Sequence, residues 1–192
     1  MTTTIAIIGR PNVGKSTLFN SLTRTRNALV ADQPGVTRDR QYGITEHQNR
    51  SFILVDTGGL YDKDEASQSI SQIVSEQSFK AVQEADAVLW LVDGRAGLSS
   101  AEEELAQELR RYDKHLYLLV NKSEGLDKHT VCAEFHALGI GQPLAISAKR
   151  GTGIKSVMNA LTSDLPEADN SDIERPEGLR VSLIGRPNVG KS

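Results

Sequence analysis

A phosphate-loop sequence that occurs twice constrains the fold of this chain more than any other feature. Ile8–Ser16 reads IGRPNVGKS, and the same letters return at Ile184–Ser192, where the chain stops. Each copy matches GxxxxGKS and follows an apolar, strand-like run, which is the context that makes a phosphate-binding loop credible. Such a loop joins a strand to a helix, so the two copies predict two nucleotide-binding domains in tandem.

The positions of the two copies predict one complete domain followed by a remnant. We expect residues 1–164 to form the complete domain. Residues 165–178 hold Pro166 and Pro176 among many acidic residues, which is typical of a solvated linker. Residues 179–192 would then be the truncated start of a second domain, and the chain a fragment of a longer protein. Lys191 and Ser192 have no helix after them, so we expect no nucleotide to bind at the second loop.

Short apolar runs alternate with helix-like stretches throughout the first domain. The strand-like runs are Ile5–Ile8, Tyr42–Thr45, Phe52–Val55, Ala87–Val92, Leu116–Val120 and Leu144–Ile146. The helix-like stretches are Lys15–Leu22, Ser99–Tyr112, Thr130–Leu138 and Ile154–Leu165. This alternation predicts an α/β fold of the P-loop NTPase class, a mostly parallel sheet with helices on both faces. Ligands of such folds bind at the carboxyl ends of the strands.

Composition excludes several classes of function. The net charge of −3 argues against a protein that coats nucleic acid, and we expect no DNA partner. The longest apolar run, Ala87–Val92, is too short to span a bilayer, so we expect no membrane association. Cys132 is the single cysteine and cannot form an internal disulfide, which fits a reducing cytoplasmic location.

The first phosphate loop supplies groups for phosphates and a cation. Gly9 and Gly14 would let the backbone bend so that successive amides point at phosphate oxygens. Lys15 would reach the β and γ phosphates as a catalytic residue, and the Ser16 hydroxyl would ligate Mg²⁺. The predicted nucleotide-binding residues of this loop are Gly9, Arg10, Pro11, Asn12, Val13, Gly14, Lys15, Ser16 and Thr17.

Two further segments would complete the phosphate end of the site. An aspartate at a strand end, here Asp56, can orient Mg²⁺ through water, and a nearby glycine amide can sense the γ phosphate. Thr37 can close over Mg²⁺ and the γ phosphate, which makes it a candidate catalytic and metal-binding residue. Alone, each segment could equally be an ordinary turn or loop. The predicted nucleotide-binding residues after the strand are Asp56, Thr57, Gly58, Gly59 and Leu60.

Two short motifs after later strands look like a guanine pocket. An acidic side chain can accept hydrogen bonds from guanine N1–H and N2–H₂ together, whereas adenine offers no such pair of donors. Discrimination by such buried pairing can be large, because the wrong base leaves the acid unpaired. The residues assigned to this pocket are Asn121, Lys122, Ser123, Glu124, Ser147, Ala148 and Lys149.

Taken in order over residues 5–163, this set of motifs resembles the signature of the translation-factor-type GTPases. The motif GRPNVGKS, together with PGVTRD and DTGG, is similar to the corresponding motifs of the Era, MnmE and Der bacterial GTPases. The tandem loops with a short acidic linker resemble the Der (EngA) family, which implies a first GTPase domain, a linker and the start of a second GTPase domain. The resemblance also implies GTP or GDP as ligand with Mg²⁺, and a role with the large ribosomal subunit or its assembly intermediates.

The chain departs from the usual GTPase pattern at two positions. Glu124 stands where the family usually has aspartate, and its extra methylene could weaken guanine recognition or be absorbed by a small backbone shift. Leu60 stands where many GTPases have a glutamine that orients the attacking water. Hydrolysis must therefore be slow, or the missing function must come from elsewhere.

Asn12 is the candidate for supplying that function. The resemblance to MnmE implies that this asparagine ligates K⁺ beside the phosphates, which would make it both a metal ligand and a catalytic residue. The competing interpretation is a turn residue that tolerates unusual backbone angles. The predicted metal ligands are therefore Ser16, Thr37, Asp56 and Asn12.

Three functions remain open from the sequence. The favoured one is a GTP-hydrolysing switch whose loops are ordered by nucleotide. A ribosome-binding module in which GTP occupancy matters more than turnover is the second, and Leu60 favours it. A P-loop ATPase or kinase is the third, and the predicted guanine pocket argues against it.

Overall fold

The computed structural model of the chain describes residues 3–23, 30–31, 41–57 and 76–166, with backbone only at 30, 31, 76 and 77. Several predicted features lie outside these residues. They are Thr37, Gly58, Gly59, Leu60, most of the acidic linker and the whole second phosphate loop.

The described residues form a single sheet with helices packed against it. The strands are β1 (Thr3–Ile8), β2 (Val30–Ala31), β3 (Gln41–His47), β4 (Arg50–Asp56), β5 (Ala87–Asp93), β6 (His115–Asn121) and β7 (Leu144–Ala145). The helices are α1 (Lys15–Thr23), α2 (Glu76–Glu84), α3 (Ser100–Leu109), α4 (Lys128–Ala133) and α5 (Ile154–Asp164), with a 3₁₀ helix at Glu134–Leu138 after α4.

The sheet has the order β2-β3-β4-β1-β5-β6-β7. The pairs from β4 to β7 are parallel, and β2 and β3 add an antiparallel edge. This confirms the predicted α/β class with a mostly parallel sheet. Because the four parallel pairs run in one direction, the carboxyl ends of five strands meet at one edge, where ligands of open α/β sheets bind.

Alternating side chains of the central strands supply two separate cores. Trp90 of β5 packs with apolar residues of α2, α3 and α4, whereas Leu89 packs with those of α1 and α5. Ala6 and Ile7 of β1 divide in the same way. Since successive side chains of a strand point to opposite faces, continuous apolar runs are what a sheet covered on both faces requires.

The antiparallel edge follows from a tight turn. Gln48 and Asn49 connect β3 to β4, and both have positive φ, 50° and 61°. Two such residues match the twist of a two-residue hairpin, in which asparagine is favoured. The polar turn predicted between these strands is thus a hairpin, and it places β3 antiparallel to β4.

Some boundaries differ from the sequence expectations. The helix predicted over Thr130–Leu138 is α4 followed by the 3₁₀ helix, and Asp127 caps α4 by accepting the Thr130 N–H at 2.8 Å. Helix α3 ends at Leu109, before the expected Tyr112. Strand β2 and helix α2 were not predicted, because β2 has only two residues and α2 is mostly polar.

The packed domain extends just beyond α5. Leu165, placed by sequence at the start of the linker, is 3% exposed and belongs to one of the two cores. The Arg50 guanidinium donates to the carbonyls of Thr162 and Leu165 at 2.6 and 2.9 Å. These bonds satisfy carbonyls at the end of α5, where a cation is favoured. Within the described ranges, no helix combines the length and apolarity needed to cross a membrane.

Candidate nucleotide-binding site

The predicted motifs gather at the carboxyl edge of the sheet. Asp56 ends β4 beside Ile7 of β1, and Asn121 ends β6 beside Asp93 of β5. The phosphate loop leaves β1 just after this level and enters α1 at Lys15. The register of the parallel strands therefore brings motifs that are far apart in sequence to one place.

The backbone of the phosphate loop requires its two glycines. Gly9 and Gly14 have φ values of 145° and 104°, which L residues with a side chain rarely adopt. A Cβ at Gly9 would lie 2.3 Å from the Leu91 carbonyl oxygen, and one at Gly14 would lie 2.4 Å from Asn121 Nδ2. Glycine is thus needed at both positions for conformation and for close packing.

Asn12 also adopts a left-handed backbone, with φ of 64°, and it is exposed. Asparagine tolerates this region better than other residues with a side chain. The backbone by itself therefore accounts for an asparagine at this position, and the exposed amide leaves an oxygen donor at the loop surface.

Lys15 is held inside the loop that carries it. Its ammonium Nζ donates to the carbonyl oxygens of Gly9 and Arg10 at 2.8 and 2.9 Å, and the residue is 5% exposed. Burial lowers the pKa of Lys15, while the negative charge of Asp56 acts in the opposite direction. The structure thus brings together the predicted phosphate-binding cation and the predicted metal-orienting carboxylate.

Asp56, the last residue of β4, and Thr57, which follows it, are each 1% exposed. The Thr57 hydroxyl donates to the Ile7 carbonyl at 2.9 Å, which ties the end of β4 to β1. Ser16 and Thr17, at the start of α1, are exposed. Their hydroxyls are accessible to a ligand at a helix N-terminus, where anions are favoured.

Arg10 connects the phosphate loop to α3. Its Nε and Nη2 both lie 2.7 Å from Glu102 Oε1, and the Glu102 side chain is 1% exposed. Glu102 also accepts the Ser99 backbone N–H at 2.9 Å and a bond from the Ser99 hydroxyl. Glu102 therefore does two things: it caps the start of α3 together with Ser99, and it bonds to Arg10 of the predicted phosphate loop.

Asn121 joins three predicted motifs. The residue is 3% exposed, its Nδ2 donates to the Val13 carbonyl at 2.7 Å, and its Oδ1 accepts the Ala148 N–H at 2.9 Å. The neighbouring Ser123 donates to the Ile146 carbonyl at 2.6 Å. One buried amide thus fixes the phosphate loop, the Asn121–Glu124 motif and the Ser147–Lys149 motif relative to one another.

Glu124 presents an ionised carboxylate with unused acceptor capacity. Its Oε1 lies 3.5 Å from Arg95 Nη2, whereas Oε2 is buried and accepts no hydrogen bond from the residues that the structure describes. The Ser147 hydroxyl lowers the pKa of this carboxyl most, followed by its own backbone amide. A buried acceptor without a partner is costly, so this oxygen is suited to a donor from a ligand.

Several residues of the site were missed from the sequence. Asp93 accepts a 2.6 Å bond from Lys122 Nζ, Arg95 contacts the Glu124 segment, and Glu102 holds Arg10. The sequence did hold a signal for Asp93 and Arg95, because the segment Asp93-Gly94-Arg95 follows a buried strand and so lies at the carboxyl edge of the sheet. Lys149 is exposed, and Thr37, Gly58, Gly59 and Leu60 are outside the described residues.

No group of three His, Cys, Asp or Glu side chains among the described residues is arranged to hold a metal ion. A cation at the phosphate end would instead use hydroxyl, carboxylate and amide oxygens. Such hard oxygen donors suit Mg²⁺.

Comparison with known proteins points to one family. Residues 4–122 match the family model described as 50S ribosome-binding GTPase. The chain is 49% identical over 192 residues to GTPase Der of Azoarcus sp. (strain BH72), covering 100% of this chain and 43% of that protein. It is 50% identical over 194 residues to GTPase Der of Nitrosococcus oceani, covering 100% of this chain and 41% of that protein. The chain thus spans about two fifths of the length of these curated relatives.

Solved structures agree in fold. Era in complex with MgGDPNP and a fragment of 16S ribosomal RNA matches with a TM-score of 0.68 and 27% identity, over 88% of this chain and 58% of that one. A variant of Aquifex aeolicus Era bound to GDP and AlF₄⁻ matches with a TM-score of 0.69 and 28% identity, over 88% and 59%. Since a family model covers more than half of its residues and Der proteins match it from end to end, this chain belongs to the 50S ribosome-binding GTPases and, within them, to the Der family.

Proposed function

We propose that residues 1–164 bind GTP or GDP and hydrolyse GTP, as the first GTPase domain of a protein that acts in assembly of the large ribosomal subunit. Residues 165–178 would be a linker and residues 179–192 the start of a second GTPase domain. The observation that supports the nucleotide site best is Asn121, whose buried amide bonds to the phosphate loop at Val13 and to the predicted base motif at Ala148.

The base end favours guanine. The ionised Glu124 can accept N1–H and N2–H₂ of guanine, and its buried Oε2 is available for one of them. Adenine presents an acceptor at N1 and would leave this oxygen unpaired, which disfavours an ATPase or kinase. Residues 121–124 and 147–149 would hold the base, with Ala148 fixed by Asn121.

The phosphate end would stabilise the charge that develops during phosphoryl transfer. Lys15 would exchange its bonds to the Gly9 and Arg10 carbonyls for bonds to the β and γ phosphates. Ser16, Thr37 and Asp56 would hold Mg²⁺, and Asn12 would hold K⁺. When bound, these cations would supply positive charge at the phosphate oxygens. Gly9–Thr17 and residues 56–60 would line the phosphates.

The ribosomal role rests on the family. The matching family model is described as 50S ribosome-binding, and the curated relatives are named GTPase Der. Among the structural neighbours, Era was solved with a 16S ribosomal RNA fragment. We place the large subunit or its assembly intermediates as partner of the whole protein. A cytoplasmic location belongs to the same proposal.

A second candidate is a ribosome-binding module in which nucleotide occupancy, and not turnover, is the signal. Leu60 favours it, because leucine cannot orient an attacking water by hydrogen bonding. The two candidates share the site and differ in the rate of hydrolysis.

Phosphate release from GTP by this chain, with Mg²⁺ in KCl and in matched NaCl, tests the proposal. We expect faster turnover in KCl, and Asn12→Ala should remove the difference between the salts. Asn12→Gly is the matched variant, because glycine keeps the left-handed backbone and removes only the side chain. A K⁺ effect that survives in Asn12→Gly would exclude Asn12 as the ligand. Tight GTP binding with no turnover in either salt would favour the second candidate.

A further inference from the structure

The loop between β5 and α3 reaches across to the Glu124 segment through Arg95. The guanidinium Nε donates to the Lys122 carbonyl at 3.2 Å, and Nη2 donates to the Glu124 carbonyl at 3.2 Å. The same Nη2 lies 3.5 Å from Glu124 Oε1. One side chain therefore contacts both the backbone and the carboxylate of the proposed base-binding acid.

The backbone of Arg95 is itself held in place by Asp93. Asp93 accepts the Arg95 backbone N–H at 2.9 Å through Oδ1, and Lys122 Nζ donates to Asp93 Oδ2 at 2.6 Å. The end of β5 and the loop after it are thus joined to the Lys122–Glu124 segment by Asp93, which bonds to Lys122, and by Arg95, which bonds to both Lys122 and Glu124. A planar guanidinium with several fixed donors is suited to such a role, because it can satisfy several acceptors in a defined geometry.

The Arg95–Glu124 pair differs from an ordinary surface ion pair in the burial of its acid. Arg111 pairs with Glu108 at 2.9 Å on the surface of α3, with side chains that are 72% and 45% exposed. The Arg95 side chain is 56% exposed, but that of Glu124 is only 19% exposed, and no described residue bonds to its buried Oε2. Arg95 therefore contacts a partly buried acid whose second oxygen has no hydrogen-bond donor in the part of the chain that the structure describes.

We propose that Arg95 is a positioning residue that sets the base selectivity of the site, because it fixes the longer Glu124 carboxylate with Oε1 engaged and Oε2 available to the base. This inference rests on the proposed guanine site. A glutamate has one more rotatable bond than the aspartate usual in the family, and that freedom must be lost on binding. A fixed carboxylate reduces this cost, since the acid is already in the orientation that meets two adjacent donors.

The test compares GDP with IDP, which lacks the N2 amino group but has the same phosphates. A carboxylate that is free to rotate can still reach the single N1–H of hypoxanthine, whereas guanine needs both donors met at once. Arg95→Ala in this chain should weaken GDP binding by about threefold to tenfold and weaken IDP binding less. The affinity ratio of GDP to IDP, measured by competition with a fluorescent GDP, should therefore fall.

Matched variants separate positioning from charge and from folding. Arg95→Lys keeps the charge but not the fork of donors, so the ratio should fall in this variant also. Arg111→Ala removes an exposed arginine that is also paired with a glutamate, Glu108, but lies outside the proposed site, so the ratio should stay unchanged. In a Glu124→Asp background, Arg95→Ala should change the ratio less, because the shorter acid has less freedom to lose.

Each outcome separates this inference from the function on which it rests. A GDP to IDP ratio that stays at the unmutated value in Arg95→Ala would overturn the role of Arg95. Equal losses for GDP and IDP leave the ratio unchanged in this way, and they are expected of a purely structural residue. If the unmutated chain fails to prefer GDP to ADP, the guanine site itself is wrong.

Discussion

The phosphate end and the base end of the proposed nucleotide site are built in different ways. At the phosphate end, Lys15 bonds to carbonyls of its own loop, and the loop conformation depends on Gly9 and Gly14. At the base end, Glu124 depends on groups from other segments, namely Arg95 and Ser147. The lysine of the first end is thus bonded within its own loop, whereas the acid of the second end depends on groups from other loops.

This difference affects what a ligand must do at each end. A phosphate must displace the Gly9 and Arg10 carbonyls from the Lys15 ammonium, so part of its binding energy offsets bonds already present. A guanine base would instead give a partner to the buried Oε2 of Glu124. Charge-assisted bonds to the phosphates should still supply most of the affinity, because they are stronger than neutral bonds to a base. The base end should supply most of the selectivity, because a wrong base would leave Glu124 Oε2 unpaired.

The largest expected effect comes from removing the Lys15 ammonium at the phosphate end. Lys15→Ala should reduce GTP turnover by about a thousandfold, because this charge would stabilise the transferred phosphoryl group. It should weaken GDP and IDP equally, since both have the same phosphates. Turnover and nucleotide affinity are the measurements, with the exposed Lys155→Ala on α5 as control. A change in the GDP to IDP ratio would contradict the division of roles between the ends.

A smaller effect is expected from cutting the link between the ends. Asn121→Ala would leave the Val13 carbonyl and the Ala148 N–H without their side-chain partner in a buried environment. We expect the free energy of unfolding to fall by about 2–3 kcal/mol, together with loss of affinity for every nucleotide. Urea unfolding checks the stability. Asn159→Ala, at an exposed position of α5 where the amide contacts His47, should change it by less than about 0.5 kcal/mol. Equal effects of the two variants would show that Asn121 is no such link.

The smallest effect expected is that of pH on base selectivity. The pKa of Glu124 lies below its ordinary value of 4.5, mainly because of the Ser147 hydroxyl, so the folded state favours the carboxylate. Base selectivity depends on the charge of Glu124 in the folded protein, and that charge is lost only as pH falls through the lowered folded-state pKa. The GDP to IDP ratio should thus stay constant from about pH 7 to pH 5. GDP and IDP have the same phosphates, so the titration of the phosphates cancels in the ratio of their affinities. A fall of this ratio between pH 7 and pH 5 would show that the pKa of Glu124 is not lowered.

Much of the fold was predictable because its signals are local. Apolar runs such as Ala87–Val92 are buried on both faces of the sheet, and this pattern predicts covered parallel strands. The two residues of β2 and the polar surface of α2 carry no comparable signal. At the other end of the domain, proline and acidic residues suggested a linker from Leu165, whereas this leucine packs into a core.

The sequence alone determined the phosphate loop, the order of the motifs and the family, because these depend on residue types at fixed spacing. Only the tertiary structure decided which distant residues support them. Glu102 holds Arg10, Asn121 reaches Val13, and Arg95 reaches Glu124 through contacts that join separate strands and loops. The physical reason is that parallel strands bring their carboxyl ends together whatever their separation in the chain, and spacing along the sequence carries no record of those distances.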